Sequence, residues 1–126
     1  MRPFSEAEAG YLDGQRLGRL ATVGNDGAPQ VVPVGFRVNR ELNCVDIGGH
    51  GMASSKKYAD VKREGRAAFV VDDVLPPWRP RGIELRGRAE ALATGGEVFG
   101  PGWAPEIIRI WPDRIRAWGL EDQQGS

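Results

Sequence analysis

The residues of this chain best suited to chemistry lie between Gly48 and Tyr58, in the order Gly-Gly-His-Gly-Met-Ala-Ser-Ser-Lys-Lys-Tyr. A glycine-rich turn leads to a hydroxyl cap, Ser54 or Ser55, and then to Lys56 and Lys57 in a first helical turn. The helix macrodipole is positive at that end, so acidic residues usually stand there. Two lysines conflict with it unless an anion lies between them and the free backbone N–H groups, and a phosphate suits that position. A solvated basic face on an exposed helix is the other reading of the same residues. No Walker motif accompanies the lysines, which argues against a nucleoside triphosphatase.

Pro33 is a second clue. It stands inside a run of alternating apolar residues, Gln30 to Val38, yet a proline cannot donate to a β-ladder. One side of that strand must therefore face something other than a neighbouring strand, either solvent at an edge or a ligand. Gly35, two residues on, leaves the same face shallow enough for a flat ring. Trp78, in the stiff setting Pro-Pro-Trp-Arg-Pro, suits an interface or a stacking contact. Trp111 and Trp118 suit the core or a dimer contact.

Other chemistries lack their residues. His50 and Cys44 are each the sole member of their type, so a metal site has no set of ligands at workable spacing. A Ser–His–Asp triad has no nucleophile elbow to build on. With one cysteine no intrachain disulfide forms, which suits a reducing compartment. The formal net charge is +0, so no polyanion such as DNA is called for. No run approaches the roughly 18 apolar residues of a membrane span. Met1 to Gly10 carries Glu6 and Glu8 and no apolar signal core. A cytoplasmic protein with no membrane partner is expected.

The elements that must position these residues read as follows. Ser5-Glu6-Ala7-Glu8 forms a capping box for a short helix from Ser5 to Leu12. Arg19 to Val23 and Gln30 to Val38 form a hairpin around Gly24-Asn25-Asp26-Gly27. Val32, Val34, Phe36 and Val38 share one face, and Val31, Pro33, Gly35 and Arg37 the other. A third strand runs from Leu42 to Ile47, and a helix from Ser54 to Glu64 stops at Gly65. Arg66 to Asp72 is a strand whose apolar run, Ala67 to Val71, implies cover on both sides. A proline-rich linker, Leu75 to Pro80, precedes a long strand from Gly82 to Leu92. A loop from Thr94 to Pro105 and one or two last strands, Ile107 to Trp111 and Ile115 to Trp118, follow. The 126 residues fit one domain, with a disordered tail at 123–126. Six or so antiparallel strands with one or two short helices make a small barrel, because closure removes exposed edges.

In this order and spacing, the chain resembles the pyridoxamine 5'-phosphate oxidase-like split β-barrels, in particular their branch of deazaflavin (F420)-dependent reductases. The resemblance runs from about Phe4 to Leu120. It rests on Arg19-Leu20-Ala21-Thr22-Val23 with its turn, Val31-Val32-Pro33-Val34, Ser54-Ser55-Lys56-Lys57-Tyr58, Gly65-Arg66-Ala67-Ala68-Phe69-Val70-Val71-Asp72-Asp73, Arg81 to Glu90, and Trp118-Gly119. It implies a homodimer with two cofactors at the subunit interface. It places the cofactor phosphate on Lys57, beside Ser55 and Lys56. It lays the tricyclic ring against the backbone of Val32, Pro33 and Val34, with Trp78 bordering the pocket. The flavin-using oxidases carry arginines where this chain has Val32 and Lys56, which favours F420 over FMN.

The function expected is hydride transfer between the deazaflavin and an unsaturated small organic substrate. An FMN-dependent oxidoreductase of the same fold and a non-catalytic binder of a flavin or tetrapyrrole are the alternatives. A dimeric structural partner with an empty pocket is a weaker one. The cofactor carries the hard chemistry, so no catalytic side chain is required. His50, in the turn beside the phosphate site, is the candidate proton donor, a structural histidine being the other reading.

Overall fold

A computed structural model describes residues 2–120; the tail expected at 123–126 lies outside them. Helix α1 (Glu6–Asp13) leads into strands β1 (Leu17–Val23), β2 (Pro29–Asn39) and β3 (Cys44–Gly48). Helix α2 (Lys56–Glu64) and strands β4 (Arg66–Leu75), β5 (Arg79–Leu92) and β6 (Ile107–Trp118) complete the order. All neighbouring strands pair antiparallel, and the sheet closes on itself as β1-β2-β3-β6-β5-β4. This is the six-stranded antiparallel barrel with two short helices that the sequence implies. No helix among the described residues is long and apolar enough to cross a membrane.

The period-two pattern of the strands fills the interior. Leu20, Val34, Phe36, Ile47, Phe69, Val71, Leu85 and Ile110 are buried there, each worth roughly 1.5–3 kcal/mol of transfer free energy. Phe36 and Phe69 meet edge to face with centroids 5.2 Å apart. The helices cover opposite ends. Tyr11 of α1 donates to Asp73 at 2.8 Å, near the start of β1, while Arg63 and Tyr58 of α2 reach the carbonyls of Val23 and Leu92.

Three expectations are corrected, and one, the number of last strands, is narrowed. The proline-rich stretch 75–80 is not a linker but the tip of the β4–β5 hairpin, with Leu75 facing Arg79. Prolines preset the turn dihedrals, so their density marks a tip as readily as a tether. β3 starts at Cys44, because Asn39 accepts the Leu42 amide at 3.1 Å and Asn43 turns at φ 58, which holds 40–43 as a turn. The last strand is single, with a register shift opposite Arg86/Gly87. A Cβ at Gly87 would lie 2.0 Å from the Trp111 carbonyl, so glycine is required there. Finally, the apolar run of β4 is covered on one side only: Phe69 and Val71 are buried, while Ala68 and Val70 are half-buried on the outer face. A continuous apolar run reads the same whether its own chain or another covers it.

Candidate functional site

α2 begins through a short 3-10 turn, Met52–Ser54, anchored by the fully buried Met52. Ser55, extended at φ −80 and ψ 151, is the cap. Its Oγ accepts the Tyr58 amide at 3.3 Å and donates to the Met52 carbonyl at 2.7 Å. Ser55 thus spends its hydroxyl on the fold. The amides of Lys56 and Lys57 are left without an acceptor among the described residues, as the first turn of a helix dictates. No acidic residue stands in that turn.

The two lysines differ sharply. Lys56 Nζ reaches Asp60 Oδ1, one turn on, at 3.3 Å. Asp60 is 1 % exposed and also accepts from Thr22 Oγ1 at 3.0 Å and Arg63 at 3.1 Å. Burial pushes its carboxyl up, but the bonds from Arg63, Thr22 and Lys56 outweigh that and hold it below the usual carboxylate range. Arg63 also donates to the Val23 carbonyl at 2.7 Å, tying α2 to the end of β1. The Lys57 side chain, in contrast, makes no hydrogen bond or ion pair among the described residues. The donor set at this helix start is one free ammonium and two free amides, which suits an anion such as a phosphate.

The edge that Pro33 implies is present. Residues 29–34 of β2 pair with β1 alone, because the β3 ladder begins only at Gly35 opposite Gly48. Val34 is buried and Val32 packs against the core, so toward a ligand these two offer backbone only. Pro33 and Val31 face outward, Val31 being 67 % exposed. The shallow face at Gly35 is already filled by the chain itself. A Cβ on Gly35 would lie 3.1 Å from the Trp103 ring, and one on its partner Gly48 would lie 2.7 Å from Phe99. Phe99 and Trp103 stack at 5.0 Å, and the His50 ring follows at 4.6 Å from Trp103. His50 Nδ1 meets the Gly102 carbonyl at 2.9 Å. A carbonyl only accepts, so Nδ1 carries the hydrogen and Nε2 is left for other partners.

The structure does not bring Trp78 to this place within the chain. Trp78 is 75 % exposed, at the tip of an arm that leaves the barrel at the α1 end. The length of β4, roughly 30 Å at the usual strand rise, separates it from the α2 end. Trp111 lies on the outer face beneath Arg88, its Nε1 donating to Glu90 at 2.6 Å, and Trp118 packs over Gly82. Sequence reasoning missed Asp60, Phe99 and Trp103. The four-residue spacing of Lys56 and Asp60 was a readable signal, whereas nothing local ties Trp103 to Gly35. A surface depression of about 730 Å³ runs across β1, β4 and β5 between Val23, Ala68, Arg86 and Arg88, and neither Lys57 nor Pro33 lines it.

Comparison with known proteins gives a consistent picture. The family model described as pyridoxamine 5'-phosphate oxidase matches residues 4–118. The chain is 46% identical over 121 residues to a 5a,11a-dehydrotetracycline/5a,11a-dehydrooxytetracycline reductase of Streptomyces rimosus, covering 94% of this chain and 85% of the relative. Among solved structures, the fold resembles the hypothetical protein Rv2991 of Mycobacterium tuberculosis, with TM-score 0.75 and 22% identity over 96% of this chain and 88% of that one. It also resembles an F420 reductase, with TM-score 0.68 and 24% identity over 90% and 98%. A FAD-binding protein from Mycobacterium smegmatis has TM-score 0.66 and 18% identity over 90% and 93%.

Proposed function

The chain belongs to the pyridoxamine 5'-phosphate oxidase family, and from that premise we propose that it is a deazaflavin-dependent reductase of a conjugated polycyclic substrate of the tetracycline type. The observation that carries this reading is the 46% identity, over 94% of the chain, to a reductase of dehydrotetracyclines. A bound deazaflavin supplies a two-electron hydride carrier. The chain's own residues hold and orient it. Lys57 and the free amides at the start of α2 take the phosphate. The backbone of Val32, Pro33 and Val34, at the β2 edge without a second strand, takes the flat ring. His50, fixed through Nδ1 by Gly102, presents Nε2 as the atom that holds or delivers a proton.

The working unit of this reading is a homodimer. The outer face of β1, β2 and β4 carries Leu17, Val31, Pro33, Ala68 and Val70, exposed or half-buried, and a second copy is its natural cover. With Trp78 and Lys57 at opposite ends of one barrel, a tryptophan wall for the site comes from the arm of the other copy. Val31→Glu is then expected to yield monomers by sedimentation and to lose cofactor binding as well.

The primary test is titration of the purified protein with F420 and, in parallel, FMN, repeated for Lys57→Ala. Micromolar or tighter F420 binding, weaker FMN binding and a loss of at least about tenfold on mutation are expected. Preference for FMN moves the protein to the flavin-using branch, and binding of neither overturns the reading.

A further inference from the structure

Asp60 lies behind the anchor rather than in it, and its partners set the charge that a ligand meets. Around this buried carboxylate, Lys56, Arg63 and Thr22 converge at 3.3, 3.1 and 3.0 Å. Arg63 in turn meets Glu64 at 3.2 Å. Lys56 and Arg63 thus share Asp60, and Arg63 and Arg66 share Glu64, the last pair at 3.9 Å. Asp26, in the β1–β2 turn, lies on the same side: a Cβ on Gly24 would be 3.0 Å from both Asp26 Oδ1 and Lys56 Nζ. Of the charges at the start of α2, only Lys57 is left uncompensated among the described residues.

The charge of a phosphate depends on its substitution. A phosphodiester, as in F420, holds one negative charge at any ordinary pH. A phosphate monoester, as in FMN, holds close to two near neutrality because its second pKa is about 6. A site with one free cation matches the first and leaves the second under-compensated, and the low dielectric around a half-buried anchor makes that mismatch costly. We infer that Asp60 is a specificity-determining residue that, by neutralising Lys56, tunes the anchor to a phosphodiester monoanion over a phosphate monoester. The inference rests on the cofactor reading above. It adds that Lys56, although adjacent to Lys57 in the helix start, is a structural cation and not a phosphate ligand.

The test compares probes that share one ring: FMN, the methyl phosphodiester of FMN, and riboflavin, titrated at pH 8 by fluorescence, with F420 alongside. In the wild-type protein the methyl diester is expected to bind more tightly than FMN. Asp60→Asn keeps the side-chain shape, and the Thr22 hydroxyl reverses its role to accept from the new amide. This variant removes the negative charge that offsets Lys56, so FMN is expected to gain about tenfold over its methyl diester, the worth of one charge-assisted bond, with riboflavin unmoved. In the double variant Lys56→Gln/Asp60→Asn that gain is expected to vanish, which assigns it to the lysine. Lys56→Gln alone is expected to shift the affinity for F420 and for the methyl diester by less than about twofold. It decides the matter by itself should Asp60→Asn fail to fold. A tenfold loss in Lys56→Gln, or an unchanged FMN-to-diester ratio in folded Asp60→Asn, overturns the inference while F420 binding by the wild type leaves the cofactor reading standing. Failure of the wild type to bind any of the phosphorylated probes overturns both.

Discussion

The two helices close opposite ends of the barrel, and both start from a serine cap, but their electrostatics are opposite. At α1, Ser5 Oγ accepts the Glu8 amide at 3.1 Å while Glu8 accepts the Ser5 amide at 2.9 Å. Arg2 then grips the Glu8 carboxylate with two bonds of 2.8 Å. The positive end of that helix is met by acidic side chains of the chain itself, Glu6 and Glu8. At α2 the cap is present, but the capping-box position is Tyr58, and the first turn holds Lys56 and Lys57. One lysine pairs with Asp60, and the other has no acidic partner among the described residues. The difference teaches that two helix starts with the same serine cap can carry opposite charge, and the proposed function puts the phosphate at the one without acids.

The comparison breaks most visibly if the charge at α2 is reversed. Lys57→Glu is expected to lower cofactor affinity by at least about a hundredfold, since it removes a charge-assisted bond and adds repulsion; isothermal calorimetry checks this. The mirror change at α1, Glu8→Lys, is expected to cost about 2 kcal/mol of stability in urea melts, because the capping box, the dipole and the Arg2 pair all fail together. The caps themselves separate the two ends. Ser5→Ala and Ser55→Ala are each expected to cost about 1 kcal/mol, but only Ser55→Ala should also weaken cofactor binding.

Smaller still, and opposite in sign, is the effect of Lys57→Glu on the ligand-free fold. An acid in the first turn is expected to raise stability by about 0.3–1 kcal/mol, so binding and stability move in contrary directions. A Tm that falls instead would place Lys57 in the fold and not at a ligand. The smallest effect is a pH dependence. The Arg2 bond holds the Glu8 carboxyl low, and the bonds to Asp60 hold that carboxyl low against its burial. A carboxyl lowered by folding contributes stability above its unfolded pKa, about 4, and loses it as pH falls through the folded value. Glu8→Gln is therefore expected to flatten the stability curve below about pH 4 and to leave the slope at neutral pH unchanged.

Much of the frame was legible along the chain. The Ser5–Glu8 box, the β1–β2 hairpin, the inward face of Val34, Phe36 and Val38, and the Gly65 stop at φ 71 all depend on contacts a few residues apart. Pro33 announced a strand side without a neighbour, and the register bears this out. Less legible was anything decided by what lies across the barrel. The hairpin tip around Trp78 read as a linker because proline density looks alike in both. The face beside Gly35 was open in sequence and is filled in the fold by Trp103, from a loop far along the chain.

The sequence by itself determined the class of the molecule: alternation, caps and turn residues act over the short range at which neighbours in the chain are neighbours in space, so they specify strands, helices and a barrel. It also placed two lysines at a helix start. Which of them is free was decided only by tertiary structure. Closure of the barrel brings Thr22 of β1 against Asp60 of α2, thirty-eight residues on, and buries the carboxylate there. A buried charge must find partners, and those within its reach are Arg63 and Lys56.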